Sequence, residues 1–182
     1  MKFSKDIIEI RIHGRGGQGA VTSAELLAIA AFKDGKYSQA MPKFGPERRG
    51  SPVEAYCRIS NEFITLRTHV YEPDYIIVLD SSLANVVDFT SGLNNNGIIL
   101  INSNEAKSFS KFKTISIDAD KIAMETFGRP IPNTVMLGAF AKATNIISLK
   151  SLLEAIEERF ENKELAEKNK IAIKKAYDEV KL

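Results

Sequence analysis

Residues Ile7 to Phe32, IIEIRIHGRGGQGAVTSAELLAIAAF, decide the fold. The β-branched run Ile7–Ile12 suits a strand, and the alanine- and leucine-rich segment after Gly19 places apolar residues at helical spacing. Between them Gly14, Gly16 and Gly19 spell G-x-G-x-x-G, with an additional glycine at Gly17. The order is strand, glycine loop, helix. A tight turn needs positive φ, and a phosphate must approach the main chain without meeting a Cβ; glycine meets both demands. The helix that follows offers unpaired N–H groups and the positive end of its dipole. An anion site over Gly14, Arg15, Gly16, Gly17, Gln18 and Gly19 is the functional reading, and close packing at a strand-to-helix turn is the structural alternative. Arg15 favours the first, because a guanidinium in the loop can add a charge-assisted bond to a phosphate.

The dinucleotide fingerprint asks further for an acidic residue about 20 positions on, at the end of a second parallel strand. Asp34 is too close and ends a helix, with Gly35 after it, and no convincing strand is predicted next. NAD is therefore disfavoured.

At 182 residues and 44% hydrophobic content the chain suits one domain, residues 1–182, with one good core. A net charge of +2 gives no reason to expect nucleic acid. No apolar run has the length of a membrane span and no signal-peptide core precedes the first strand, so a cytoplasmic protein is expected. One cysteine, Cys57, excludes an internal disulfide framework and an iron–sulfur cluster held by this chain alone, and two histidines give no zinc-ligand spacing. Cys57 reads as a buried small hydrophobe.

The segment Tyr37–Pro52 has no periodicity and contains three prolines, so a regular helix or central strand is excluded. Its aromatic and apolar residues make it an ordered surface that contacts something, with Glu47, Arg48 and Arg49 as a positioned charge cluster. Val53–Ile59 alternates, Ser60-Asn61-Glu62 turns and Phe63–Arg67 runs back, which predicts a β-hairpin. Tyr75–Leu79 and Ile98–Ile101 are continuous apolar runs of the kind that fill buried parallel strands, and Thr114–Ile117 is a further strand. Asp80, Ser81 and Ser82, at a strand's carboxyl end, belong either to the crevice of the glycine loop or to a helix cap. Helices are expected over 119–126, over 134–145 with Asn133 as cap, after Ser148, and over 162–182, the last charged and amphipathic. Small residues at Gly138, Ala139, Ala141 and Ala143 permit a close approach to another backbone. The fold class is α/β: a single-domain, doubly wound, mostly parallel but mixed sheet, with helices on both faces and an inserted β-hairpin. His13 invites an acid–base role, but a lone histidine at a strand end is more often structural; no catalytic residue and no metal ligand is assigned.

Three segments taken together, GRGGQGAV at 14–21, FGPERRGSPV at 44–53 and NTVMLGAF at 133–140, resemble the gamma subunits of the 2-oxoacid:ferredoxin oxidoreductases. The resemblance covers nearly the whole chain, and is closest to the pyruvate enzyme with the branched-chain enzyme next. It implies a share in an enzyme that decarboxylates a 2-oxoacid on thiamine diphosphate, passes two electrons through iron–sulfur clusters to ferredoxin and transfers the acyl group to coenzyme A. The chain has no Gly-Asp-Gly to begin a thiamine diphosphate–magnesium motif and too few cysteines for a cluster, so partner subunits must carry those groups. Its implied share is coenzyme A, with Gly14–Gly19 against the phosphates or pantetheine. Arg48 and Arg49 are left between the coenzyme, the 2-oxoacid carboxylate and a neighbouring subunit. The loop around Glu47-Arg48-Arg49-Gly50 favours the pyruvate branch. The rival readings are a non-catalytic scaffold, a free-standing nucleotide-binding protein and, least favoured, an NAD-dependent dehydrogenase.

Overall fold

A computed structural model describes residues 7–43, 49–109 and 111–182. Its elements are β1 (Ile7–Arg15), α1 (Ala20–Lys33), β2 (Tyr37–Pro42), β3 (Pro52–Ser60), β4 (Tyr75–Val78), a 3₁₀ turn (Ser81–Asn85), β5 (Ile98–Asn102), β6 (Lys113–Ile117), α2 (Ala119–Phe127), α3 (Asn133–Thr144), α4 (Leu149–Arg159) and α5 (Lys163–Glu179). The strands form one sheet in the order β2-β3-β1-β4-β5-β6. Strands β1, β4, β5 and β6 run parallel, while β3 is antiparallel to both β1 and β2, so the sheet is mixed as expected.

Two local expectations are corrected. Tyr37–Pro42, read as irregular, is a strand at the edge of the sheet, where Pro42 removes no ladder bond that a second neighbour would need. The partners of β3 are β1 and β2, so the antiparallel pair is not made with Phe63–Arg67, which has no regular structure. Phe63 is 75% exposed, and a returning strand there would have had to displace β1 or β2 from β3.

Alternation of side chains sorts the sheet's two faces. Ile10, Ile12, Ile77, Leu100 and Ile115 join the main core, to which all five α-helices contribute. Ile76, Val78, Ile99 and Ile101 point the other way, onto Leu83 of the 3₁₀ turn, Phe89, Leu93 and Phe109. The helical cover is thus unequal, five α-helices against one 3₁₀ turn. Under β1 and β3 that second face is polar yet buried, with Glu9, Arg11, His13 and Arg58 all below 9% exposed.

The C-terminal helix packs on its own domain. Gly138 of α3 lies so near α5 that an added Cβ would overlap the Ile173 carbonyl oxygen and come within 2.9 Å of its carbon. Thr134 Oγ1 donates to Asn169 Oδ1 across the same seam at 2.7 Å. The close approach allowed by small residues is therefore made within the chain. Ser148 caps α4 as expected by accepting from the Ser151 N–H, and Asp34 binds Ser148 and Ser151, which ties the end of α1 to the start of α4.

Candidate functional site at the glycine loop

The strand order locates the crevice. From β1 the chain passes through α1 to β2 on one side, whereas β4 leads away through β5 and β6 on the other, so the switch point lies between the carboxyl ends of β1 and β4. Open α/β sheets bind ligands there. The residues that meet at this point are Arg15 to Gly19 from one strand end and Asp80 to Ser82 from the other.

Gly17 and Gly19 have φ of 94° and 83°, a conformation that side chains rarely adopt, so one glycine of the motif, Gly19, and the additional Gly17 are required by backbone geometry. Gly19 is also the residue preceding α1, and a Cβ on it would overlap Asn133 Nδ2. Asn133 was expected to cap α3; it is instead the helix's first residue, with Pro132 in the cap position and no side-chain cap. Its buried side chain packs against Gly19, so the N-termini of α1 and α3 lie side by side. Neither has a side-chain cap or an acidic residue in its first turn. Two positive helix ends without local compensation favour an anion between them.

Much of the remaining loop is already bonded to protein. Gly16 donates to the Ser51 carbonyl at 2.8 Å, and Gly50 donates to the Gly16 carbonyl at 3.1 Å. The Arg15 N–H donates to Gln18 Oε1 at 2.7 Å, and Gln18 Nε2 donates to Asp80 Oδ2 at 3.2 Å. Arg15 Nε reaches the same Asp80 oxygen at 2.9 Å, Nη1 the Gly50 carbonyl at 3.1 Å and Nη2 Ser82 Oγ at 2.8 Å. Asp80 also accepts from the Ser82 N–H and hydroxyl and occupies the cap position of the 3₁₀ turn. Asp80 is thus the cap, a role the sequence reading gave to Ser81 and Ser82, and it also bonds directly to the glycine loop. Burial alone would raise its pKa, but hydrogen bonds from Ser82, Gln18 and Arg15 outweigh that and hold it below the usual carboxylate range.

Arg49 is exposed in the turn that pairs with Gly16, at the rim of this site. Arg48 lies outside the described residues. The carboxyl end of β2, Met41-Pro42-Lys43, has no acidic residue, and β3 separates this strand from β1, so the ribose-binding arrangement of NAD proteins is not formed there.

Neither reactive side chain is poised for chemistry. Cys57 is fully buried, which pushes its thiol up to about 12. His13 is 3% exposed, accepts from Arg11 Nε through Nε2 at 3.1 Å and is pushed down to about 4 by burial. It serves the polar layer beneath the sheet. Below pH 6.5 the unfolded chain binds a proton at this position that the folded chain refuses until about pH 4, so stability is full above 6.5 and declines as pH falls toward 4. The loss amounts to about 3 kcal/mol. Urea unfolding of wild type and His13→Gln across that window should diverge accordingly; parallel profiles would remove the buried neutral histidine from the account.

Comparison with known proteins places this geometry in a lineage. The family model described as pyruvate ferredoxin/flavodoxin oxidoreductase matches residues 9–179. The chain belongs to that family. Among oxidoreductase relatives, the pyruvate synthase subunit PorC of Methanothermobacter thermautotrophicus is 54% identical over 96% of both chains. The pyruvate/ketoisovalerate oxidoreductases common subunit gamma of Pyrococcus furiosus is 49% identical over 97% of this chain and 98% of its own. The crystal structure of pyruvate oxidoreductase subunit PORC from Thermotoga maritima superposes with a TM-score of 0.85 at 38% identity, covering 97% and 98% of the two chains. As an oxidoreductase subunit of this kind, the chain has the fold expected from its sequence.

What sequence reading missed is the pairing of residues 50 and 51 with Gly16, the three acceptors of Arg15 and the seat of Asn133 beside Gly19. Only the proline-flanked Gly50-Ser51 and the Asp80 strand end hinted at the first two.

Proposed function

We infer that this chain is the gamma subunit of a pyruvate:ferredoxin oxidoreductase, or pyruvate synthase, a multi-subunit enzyme that decarboxylates pyruvate oxidatively to acetyl-coenzyme A and reduces ferredoxin. It is inactive alone. The donors for an iron–sulfur cluster do not fit here, since the only cysteine is buried in the main core between sheet and α-helices, and thiamine diphosphate, magnesium and the clusters belong to partner subunits. No helix among the described residues is long and apolar enough to cross a membrane, which is compatible with a cytoplasmic complex. The Pyrococcus furiosus relative is named for both pyruvate and ketoisovalerate enzymes. That supports a gamma subunit that leaves the choice of 2-oxoacid to its partners, so a branched-chain enzyme is the second reading.

The share of this chain is coenzyme A. Coenzyme A supplies the thiol that takes the acyl group. The observation carrying this role is the open N-terminus of α1 at the switch point, beside that of α3 and without an acid in either first turn. The backbone N–H groups of Gly17 and of Gly19 to Thr22 are the donors for the coenzyme's phosphates, the Gln18 N–H being bonded to the Arg15 carbonyl at 2.9 Å, and Gly14, Arg15, Gly16, Gln18 and Gly19 shape the loop around them. Arg49, and Arg48 with it, stand for contacts to the coenzyme or to a neighbouring subunit.

Thr22→Asp tests the role in the assembled enzyme. A carboxylate in the first turn favours the helix itself but repels a phosphate at the same end. The KM for coenzyme A should rise about tenfold, roughly 1.4 kcal/mol, without a matching rise for pyruvate. An unchanged KM for coenzyme A would move the chain to the scaffold reading.

A further inference from the structure

We propose that Arg15 is a positioning residue, a clip held by Asp80 that fastens the Gly50-Ser51 turn to the glycine loop, and that it is not itself a ligand of the coenzyme's phosphates. This rests on coenzyme A binding at the α1 N-terminus, as inferred above. The guanidinium has three nitrogens, and each meets an acceptor: Asp80 and Ser82 at the start of the 3₁₀ turn after β4, and the Gly50 carbonyl before β3. Its charge lies 2.9 Å from the Asp80 carboxylate, with the two side chains only 27% and 22% exposed. An incoming phosphate therefore meets a neutral pair, and Asp80 would oppose a closer approach to Arg15.

Gln18 closes the arrangement. It accepts from the Arg15 N–H and donates to the Asp80 oxygen that Arg15 Nε also uses, so loop, strand end and clip hold one another. The Gly16–Ser51 and Gly50–Gly16 backbone bonds make the first two ties to the 49–51 turn, and Arg15 to the Gly50 carbonyl is the third. The clip determines where Arg49 leaves the turn and holds the shape of the loop that leads into α1. Within the sheet, the Arg15 side chain also spans the carboxyl ends of β1 and β4, so it forms one wall of the crevice.

A double-mutant cycle in the assembled oxidoreductase separates clip from ligand. Arg15→Ala, Asp80→Asn, the double variant and Arg15→Lys are each assayed with coenzyme A and with dephospho-coenzyme A. For a clip, each single change raises the KM for coenzyme A about tenfold, the double variant is no worse than either single one, and lysine, which keeps the charge but loses the fork, does not rescue. The preference for coenzyme A over its dephospho form stays within about twofold, because no contact to the ribose 3′-phosphate is removed, while a pyrophosphate contact is tested by the cycle and the lysine variant.

The opposite pattern overturns the proposal: Asp80→Asn frees the Arg15 charge and lowers the KM, Arg15→Ala raises it, lysine rescues, and the effects add. Equal KM values for all variants overturn it as well. If the Thr22→Asp enzyme also has an unchanged KM, the failure lies with coenzyme A at this loop; if Thr22→Asp raises the KM while Arg15 and Asp80 act independently, only the clip fails.

Discussion

Gly138→Ala should lower the melting temperature of this chain by about 5–10 °C, a loss of roughly 2–3 kcal/mol. The sign is the informative part. In a helix interior that exchange ordinarily stabilises by about 1 kcal/mol, because alanine loses less backbone entropy. Here the new methyl meets the Ile173 carbonyl oxygen, its carbon at 2.9 Å and its Cα at 3.0 Å, all backbone atoms of α5. No rotamer change relieves that contact; α3 and α5 must separate. Separation would also stretch the Thr134–Asn169 hydrogen bond and loosen the buried Ala172 and Ile173. A stabilised Gly138→Ala protein in a thermal melt would mean that the two helices do not approach so closely.

Glu9→Leu should cost about 3–5 kcal/mol in urea unfolding, because it leaves a charge buried without its counter-ion. Arg58 Nε donates to Glu9 Oε1 at 2.9 Å, and the two side chains are only 1% and 11% exposed. The rest of the guanidinium is poorly served: Nη2 reaches the His69 carbonyl at 3.2 Å, and Nη1 has no hydrogen-bond partner among the described residues. On the neighbouring strand Gln39, paired in register with Arg58, likewise has its buried Oε1 unpartnered among the described residues. Replacing both ions, as Glu9→Leu with Arg58→Met, should restore most of the loss, since two apolar side chains in the same space leave no charge to solvate. A double variant as unstable as Glu9→Leu would show that shape at this layer matters more than charge.

The reach of sequence reading differs from one element to another. The strand-loop-helix start was legible because its signals are local: the run Ile7–Ile12, two glycines that need positive φ, and a helix whose buried residues recur through Ala24, Leu27 and Ala31. The same holds for β4 and β5, where apolar residues on both faces mark a covered strand. The cap of α4 was legible too, since Ser148 acts on an N–H three residues away. By contrast, alternation in Val53–Ile59 identified a strand but not its neighbours. Phe63–Arg67 has a strand's composition, yet the sheet recruits β1 and β2 instead, a choice made by contacts far apart in sequence.

The candidate site divides in the same way. Its glycines, its helix dipole and its place after the first strand are consequences of short-range stereochemistry, so the sequence by itself determined them, together with the α/β class and the lack of cluster-forming cysteines. The side-chain partners of Arg15 and the meeting of Gly19 with Asn133 depend on residues 35 to 114 positions apart, and the neutral state of His13 on its burial in the folded sheet. Those were decided only by the tertiary structure, because burial and counter-charge act through distance in space and leave no periodic trace along the chain.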